Sequence, residues 1–473
     1  MRRTMSRRDF LSTVGAAAPL VAAPPEKRPN FVFIFTDDQR FDTIRALGNR
    51  EVHTPNMDRL VKQGLAFTHV FTMGGTIPAI CAPSRAQLMT GQTLFHVHRS
   101  IIQPGDAAGS RRPFTLFPEA LHQAGCATFA TGKWHNGPAL FNRAFRDGAA
   151  IFFGGMSDHD KVRVFDYDPS GRYLKENART GNAFSSELFT NAALQFLKNR
   201  KKDKPFLLYI AYTSPHDPRM APQRYRDLYQ ARNIRLPANY LPQHPFDNGE
   251  MKVRDELLAP FPRTPEEVQE HIASYYAMIS EVDAQIGRVL DEVERSGEAG
   301  NTYIIFASDN GLAVRRHGLL GKQNLYDHSV RVPMVIAGPG IPKGRRSHAL
   351  CHLMDLCPTI CDLARVPIPD TVEARSLKPQ LNNPNAPGRD AVIFAYRHFQ
   401  RGVRTDRYKL ILYNVKGVKT AQLFDLQKDP DERHNLAGDP GQAARIRELK
   451  ALLQQRLREA GDRTDLDASD WTV

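Results

Sequence analysis

Cysteine is scarce in this 473-residue chain: Cys81, Cys126, Cys351, Cys357 and Cys361 are the only five. No two of them form a Cys-x-x-Cys pair, which argues against zinc and iron–sulfur sites. Cys351, Cys357 and Cys361 lie close together in a predicted helix, where a single bridge is allowed, but buried free thiols are the better reading. Beyond residues 1–23 no segment is long and apolar enough for a membrane helix, which excludes an integral membrane segment from the mature chain. There is no internal repeat. The 32 glycines and 33 prolines are spread along the chain, so low-complexity segments are excluded too. No nucleic-acid-binding motif and no concentrated basic stripe occurs, and nucleic acid is not expected as a partner.

What is present is an ordinary globular composition, 41% hydrophobic and 24% charged. The length suits one large domain plus a smaller one. The formal net charge is +13; the four arginines and one aspartate of residues 1–23 account for +3, leaving about +10. A basic surface attracts polyanions, sulfated polysaccharides among them. Ser6-Arg7-Arg8-Asp9-Phe10-Leu11 is a twin-arginine pattern, followed by an Ala-rich, mildly apolar stretch to Ala23. Residues 1–23 therefore read as a signal peptide read by the twin-arginine export machinery, which places the mature protein in the periplasm or outside the cell.

Short apolar runs read as buried parallel strands. Phe31–Phe35 precedes Asp37-Asp38, Cys126–Ala130 precedes Lys133 and His135, Phe206–Ile210 precedes His216, and Tyr303–Ala307 precedes Asp309-Asn310. A fifth run spans Val332 to Ala337. Helical patterns lie between, the clearest from His271 to Glu294. The expected fold is α/β, a large, mostly parallel sheet sandwiched by helices, with ligands bound outside the strands' carboxyl ends. After about residue 385 short antiparallel strands and a basic helix predict a smaller C-terminal subdomain. The expected division is 28–380 for the catalytic domain and 385–473 for that subdomain.

Cys81-Ala82-Pro83-Ser84-Arg85 opens a predicted helix, placing Cys81 where partial positive charge favours anions and Arg85 on the same face. Alone, this pentapeptide would be read as a structural cysteine at a helix start. It continues, however, as Ala86-Gln87-Leu88-Met89-Thr90-Gly91. Thr36–Arg40, Thr54–Asp58, Gly132–His135, Ser214–His216, Asp309–Gly311, Gly321-Lys322 and Leu423–Leu426 follow in order along most of the mature chain. Together these segments resemble the type I, formylglycine-dependent sulfatases, bacterial polysaccharide sulfatases in particular, which are related in fold to alkaline phosphatases.

The resemblance implies that a maturation enzyme oxidises Cys81 to formylglycine, whose hydrate attacks sulfur. It implies Ca²⁺ (or Mg²⁺) held by Asp37, Asp38, Asp309, Asn310 and the modified Cys81; an all-oxygen set suits either cation. Arg85 would support the nucleophile, Lys133 and Lys322 would hold sulfate oxygens, His216 would protonate the leaving alcohol, and Asp309 would activate the attacking hydroxyl. His135 would act as base in the step that expels sulfate and restores the aldehyde. His53, His98, Arg99, His159, Arg315, Arg316 and His317 are weaker candidates for recognising an acidic sugar. The expected substrate is a sulfated carbohydrate. A phosphonate or phosphodiester hydrolase of the same superfamily is the alternative, and a non-catalytic glycan-binding protein a more distant one.

Overall fold

A computed structural model describes residues 27–97, 99–102, 113–468 and 471. The expected signal peptide and His98 lie outside the described residues.

The core is a nine-stranded sheet whose main path runs Arg345–Ser347, Leu65–Phe71, Arg331–Ala337, Thr302–Ser308, Asn30–Thr36, Phe206–Ala211, Ala127–Lys133 and Asp147–Phe152. Asn30–Thr36 sits centrally and is buried throughout, because helices cover both faces and every side chain of Asn-Phe-Val-Phe-Ile-Phe-Thr meets protein. It is parallel to both neighbours, with Phe35 opposite Ala307 on one side and Ala211 on the other. That register brings the carboxyl ends of the strands level. Asp37, Asp309 and the 212–216 turn consequently emerge at one height, and Lys133, ending the strand beyond, joins them.

Arg331–Ala337 was expected to be parallel and is antiparallel to both Thr302–Ser308 and Leu65–Phe71. A parallel strand would need a crossover back to the far end of the sheet. Residues 309–330 instead remain at the site end, with only the short helix Asp327–Val330, and so bring Lys322 to the same rim. Leu65–Phe71 and Asp147–Phe152 join the sheet although they were not among the expected strands.

The predicted helix around 271–294 extends over Pro265–Arg295, opened by a reciprocal cap between Thr264 and Glu267 with Pro265 in its first turn. The helix carrying Cys81 spans Cys81–Thr90, with Pro83 as its third residue, and is buried on all sides. A second, five-stranded sheet combines Val392–Tyr396, Gln400–Arg404, Tyr408–Val415 and Val418–Asp425, antiparallel in sequence, with Gly74-Gly75 added in parallel at one edge. A Cβ at Gly74 (φ 98°) would sit 2.2 Å from the Ala395 carbonyl oxygen, so only glycine allows this contact. The helix Ala443–Ala460 lays Leu449, Leu453 and Leu457 against this sheet. All five cysteines are buried free thiols; Cys351 lies in the two-residue strand Cys351-His352, and Cys357 and Cys361 on the helix Leu356–Ala364. No described helix is long and apolar enough to cross a membrane.

Candidate active site

Cys81 is the first residue of its helix and is 2% exposed. Its Sγ lies 3.3 Å from Asp37 Oδ1 and accepts from Lys322 Nζ at 3.0 Å. Burial, then the Asp37 carboxylate, pushes this thiol well above its ordinary range despite the two nearby lysines. A protonated thiol is a weak nucleophile. The arrangement therefore does not suit cysteine itself as the reacting group.

Two lysine–carboxylate pairs flank the sulfur. Lys133 Nζ contacts Asp37 Oδ2, and Lys322 Nζ donates to both oxygens of Asp38 at 2.7 and 2.8 Å. Burial would raise Asp37, but Lys133, His216 and Arg85 hold it well below the usual carboxylate range. Asp309 moves the other way, pushed up by burial and then by Asp37. Arg85 Nε donates to Asp309 Oδ2 at 2.9 Å and its Nη1 to the Lys133 carbonyl at 2.8 Å, with the guanidinium 5.0 Å over the Phe35 ring. Asp38 is held in left-handed backbone at φ 67°, its N–H donating to Asp309 Oδ1.

Asp37, Asp38, Cys81 and His216 each place a ligand-type atom within 4.8 Å of the others. Asn310 donates through Nδ2 to Asp38, while its buried Oδ1 has no hydrogen-bond partner. An orphaned amide oxygen beside three buried carboxylates fits a hard cation.

His216 Nδ1 lies 2.8 Å from the Asp217 carbonyl, so Nδ1–H is spent there and Nε2, 3.7 Å from Asp38 Oδ2, is the nitrogen free for proton transfer. His159 supports it from behind, its Nε2–H donating to the His216 carbonyl at 2.9 Å while Nδ1 pairs with Ser185. His135, at φ 65°, is held well below the usual imidazole range by burial, then by Lys133 and Arg85, and is neutral.

A cavity of about 250 Å³ opens over Cys81, with His135, His216 and Lys322 on its floor and Met156, Arg254, Asp255 and Gln323 at its mouth. Met156, Arg254 and Asp255 stand in no sequence motif, while Gln323 directly follows Gly321-Lys322. Arg254 donates to Asp217 at 2.7 and 3.0 Å and to Asp255 at 2.9 Å, while Gln323 donates to Asp255 at 2.8 Å. Arg254 thus ties the His216 turn to the Lys322 loop.

The weaker candidates do not gather at this cavity. His53 is exposed on another face, with its N–H on Tyr229, and Arg99 is also exposed. His159 lies beneath His216. Arg316 is paired with Asp42 and Asp431, and His317 stacks on Tyr326 at 4.0 Å between ring centres. Arg315 is fully buried.

Comparison with known proteins accounts for this geometry. The sulfatase family model matches residues 29–366, and a model described as the C-terminal part of N-sulphoglucosamine sulphohydrolase matches 315–460. An N-acetylglucosamine-6-O-sulfatase of Bacteroides thetaiotaomicron is 28% identical, the match covering 92% of this chain and 87% of that protein. A multifunctional alkaline phosphatase superfamily protein of Trinickia caryophylli is 29% identical over 92% of this chain and 96% of its own. Among solved structures, a protein in complex with its substrate D-glucosamine-2-N,6-O-disulfate superposes with a TM-score of 0.77 at 25% identity, covering 94% of this chain and 100% of that one. The chain belongs to the sulfatase family and is a sulfuric ester hydrolase.

Proposed function

We propose that this protein removes O-sulfate groups from a sulfated carbohydrate, using Cys81 converted to formylglycine beside a calcium ion. The observation that carries the reading is the position of Cys81 Sγ, at a helix N-terminus between the Asp37–Lys133 and Asp38–Lys322 pairs. Oxygens of Asp37, Asp38, Asp309 and Asn310 would hold the cation, which when bound would draw charge from a sulfate oxygen. Formylglycine at position 81 would supply a hydrated aldehyde, one hydroxyl for attack on sulfur and a second through which the aldehyde is restored.

The chain's own residues supply the rest. Lys133 and Lys322 face the anionic ester and offset charge building on the sulfuryl oxygens. Arg85 fixes the Asp309 carboxylate, which accepts the proton of the attacking hydroxyl; its raised proton affinity suits a base. His216 gives the Nε2 proton to the departing alcohol oxygen. His135, kept neutral, takes the proton from the second hydroxyl as sulfate leaves. The carbohydrate assignment is supported by the sulfated-sugar substrates named for the similar proteins and by the basic charge of the chain. Export through the twin-arginine pathway rests on Ser6–Leu11.

The test is a screen of defined sulfated mono- and oligosaccharides with protein whose conversion has been checked by peptide mass. Desulfation of one regio-isomer, lost on chelation and restored by Ca²⁺, supports the reading. The second reading is phosphonate or phosphodiester hydrolysis, and the likeness to a multifunctional alkaline phosphatase superfamily protein keeps it in play. Faster turnover of a phosphonate or phosphodiester than of every sulfate ester would establish it instead.

A further inference from the structure

Behind the catalytic wall lies a second concentration of positive charge. Arg315 is 0% exposed, and its Nε, Nη1 and Nη2 all lack a hydrogen-bond partner. Arg263 and Arg219 lie within electrostatic reach of it, and all three guanidinium groups act on His271. Arg219 Nη1 donates to His271 Nδ1 at 2.7 Å, which fixes that imidazole as a neutral acceptor. The Nε atoms of Arg219 and Arg263 are also buried without partners.

The neighbouring carboxylates are already engaged. Glu256 accepts from Arg263 at 2.8 Å and from the N–H groups of Leu320 and Gly321. Glu267 is the reciprocal cap of Thr264. Arg315 is therefore a buried cation whose charge no hydrogen-bonded carboxylate balances. A buried guanidinium left this way costs several kcal/mol, and water would satisfy its N–H groups without cancelling its charge.

The backbone reinforces the point. Arg315 holds φ 73° between Val314 at 43° and His317 at 52°, conformations that side-chain-bearing residues adopt at a cost. The chain accepts this conformation and leaves the guanidinium buried without a hydrogen-bond partner. Arg315 does not line the cavity over Cys81, so a sugar bound there does not reach it. Arg219 is only half-buried.

We propose that Arg315, Arg219 and Arg263 form an internal site for a small inorganic anion of chloride size. The anion braces three segments at once, the turn after His216, the 254–263 loop and the 311–322 loop that ends in Lys322, and Arg219 extends the brace to His271 on the helix Pro265–Arg295. The site is independent of the reading of Cys81 and of the substrate.

Thermal unfolding of the full mature chain in sodium chloride against sodium gluconate, at equal ionic strength, tests this. The expected result is a saturable rise of roughly 2 °C in chloride, lost in Arg315→Met. Crystals soaked in sodium bromide should show anomalous density among the three guanidinium groups. If Arg315→Met does not fold, the bromide measurement decides on the unaltered chain. Equal melting in the two salts with no bromide density, the position being filled by water or by a rearranged carboxylate, overturns the site.

Discussion

Two buried lysine–aspartate networks in this molecule use the same residue types to opposite ends. In one, Asp327 joins Arg404, Arg331 and Lys409, and Lys409 Nζ bridges to Glu432 Oε1 at 2.7 Å. Glu432 Oε2 accepts the Asp327 N–H at 2.8 Å, so every carboxylate oxygen is taken and the one open atom is a donor, Arg404 Nε. That network pins the loop after Asp309 to the C-terminal sheet. In the other, around Cys81, the ion pairs are just as dry, but Asn310 Oδ1, His135 Nδ1 and Arg85 Nη2 remain unpaired and a cavity opens above. Closure marks a network that holds the fold together. Open donors and acceptors beside a hole mark one built to receive a reacting group.

The comparison can be broken from either side. Cys81→Ser should lower sulfatase turnover about 10⁴-fold and leave the melting temperature within about 1 °C, measured against wild-type protein shown by peptide mass to be converted at position 81. Lys409→Met should do the reverse. Stranding Asp327 and Glu432 should cost roughly 3–5 kcal/mol in denaturant unfolding, with turnover per folded molecule little changed.

His216→Ala should slow release of a sugar alcohol about 100-fold. An aryl sulfate, whose leaving group needs no proton, should lose less than about 10-fold. Equal losses on both would remove His216 from the role of acid.

The smallest effect concerns Glu281, which belongs to neither network. Burial pushes it from its ordinary 4.5 up to about 7, only partly offset by Ser186 and Gln285. The unfolded carboxyl ionises first, so folding takes up a proton between those values. Its contribution is present below pH 4.5, declines as pH rises to about 7, and is flat above. Glu281→Gln removes the decline, and the variant should gain on the order of 2 kcal/mol over the wild type between pH 5 and pH 8.

The strands that build the site were legible because each is a short, mostly apolar run with polar site residues a few positions beyond it, and burial on both faces demands such runs. Cys81, Arg85 and Lys322 were legible through local motifs. The direction of Arg331–Ala337 was not, because apolar composition is the same for either sense and only the connection decides. Nor was the role of Arg254, which acquires meaning only when folding sets it against Asp217, 37 residues earlier in the chain. Arg315 and His317 sit beside a site motif in sequence, yet the chain turns there, and neighbours in sequence part in space.

The seam between Gly74-Gly75 and Ala395-Tyr396 also sets a clock. The glycines lie just upstream of Cys81, yet the strand that receives them is made some 320 residues later. Until the ribosome has delivered it, Gly74-Gly75 has no edge to pair with. In the finished fold the sulfur is 2% exposed in the lining of the cavity. On the proposed oxidation of Cys81, slower production should raise the converted share measured by peptide mass.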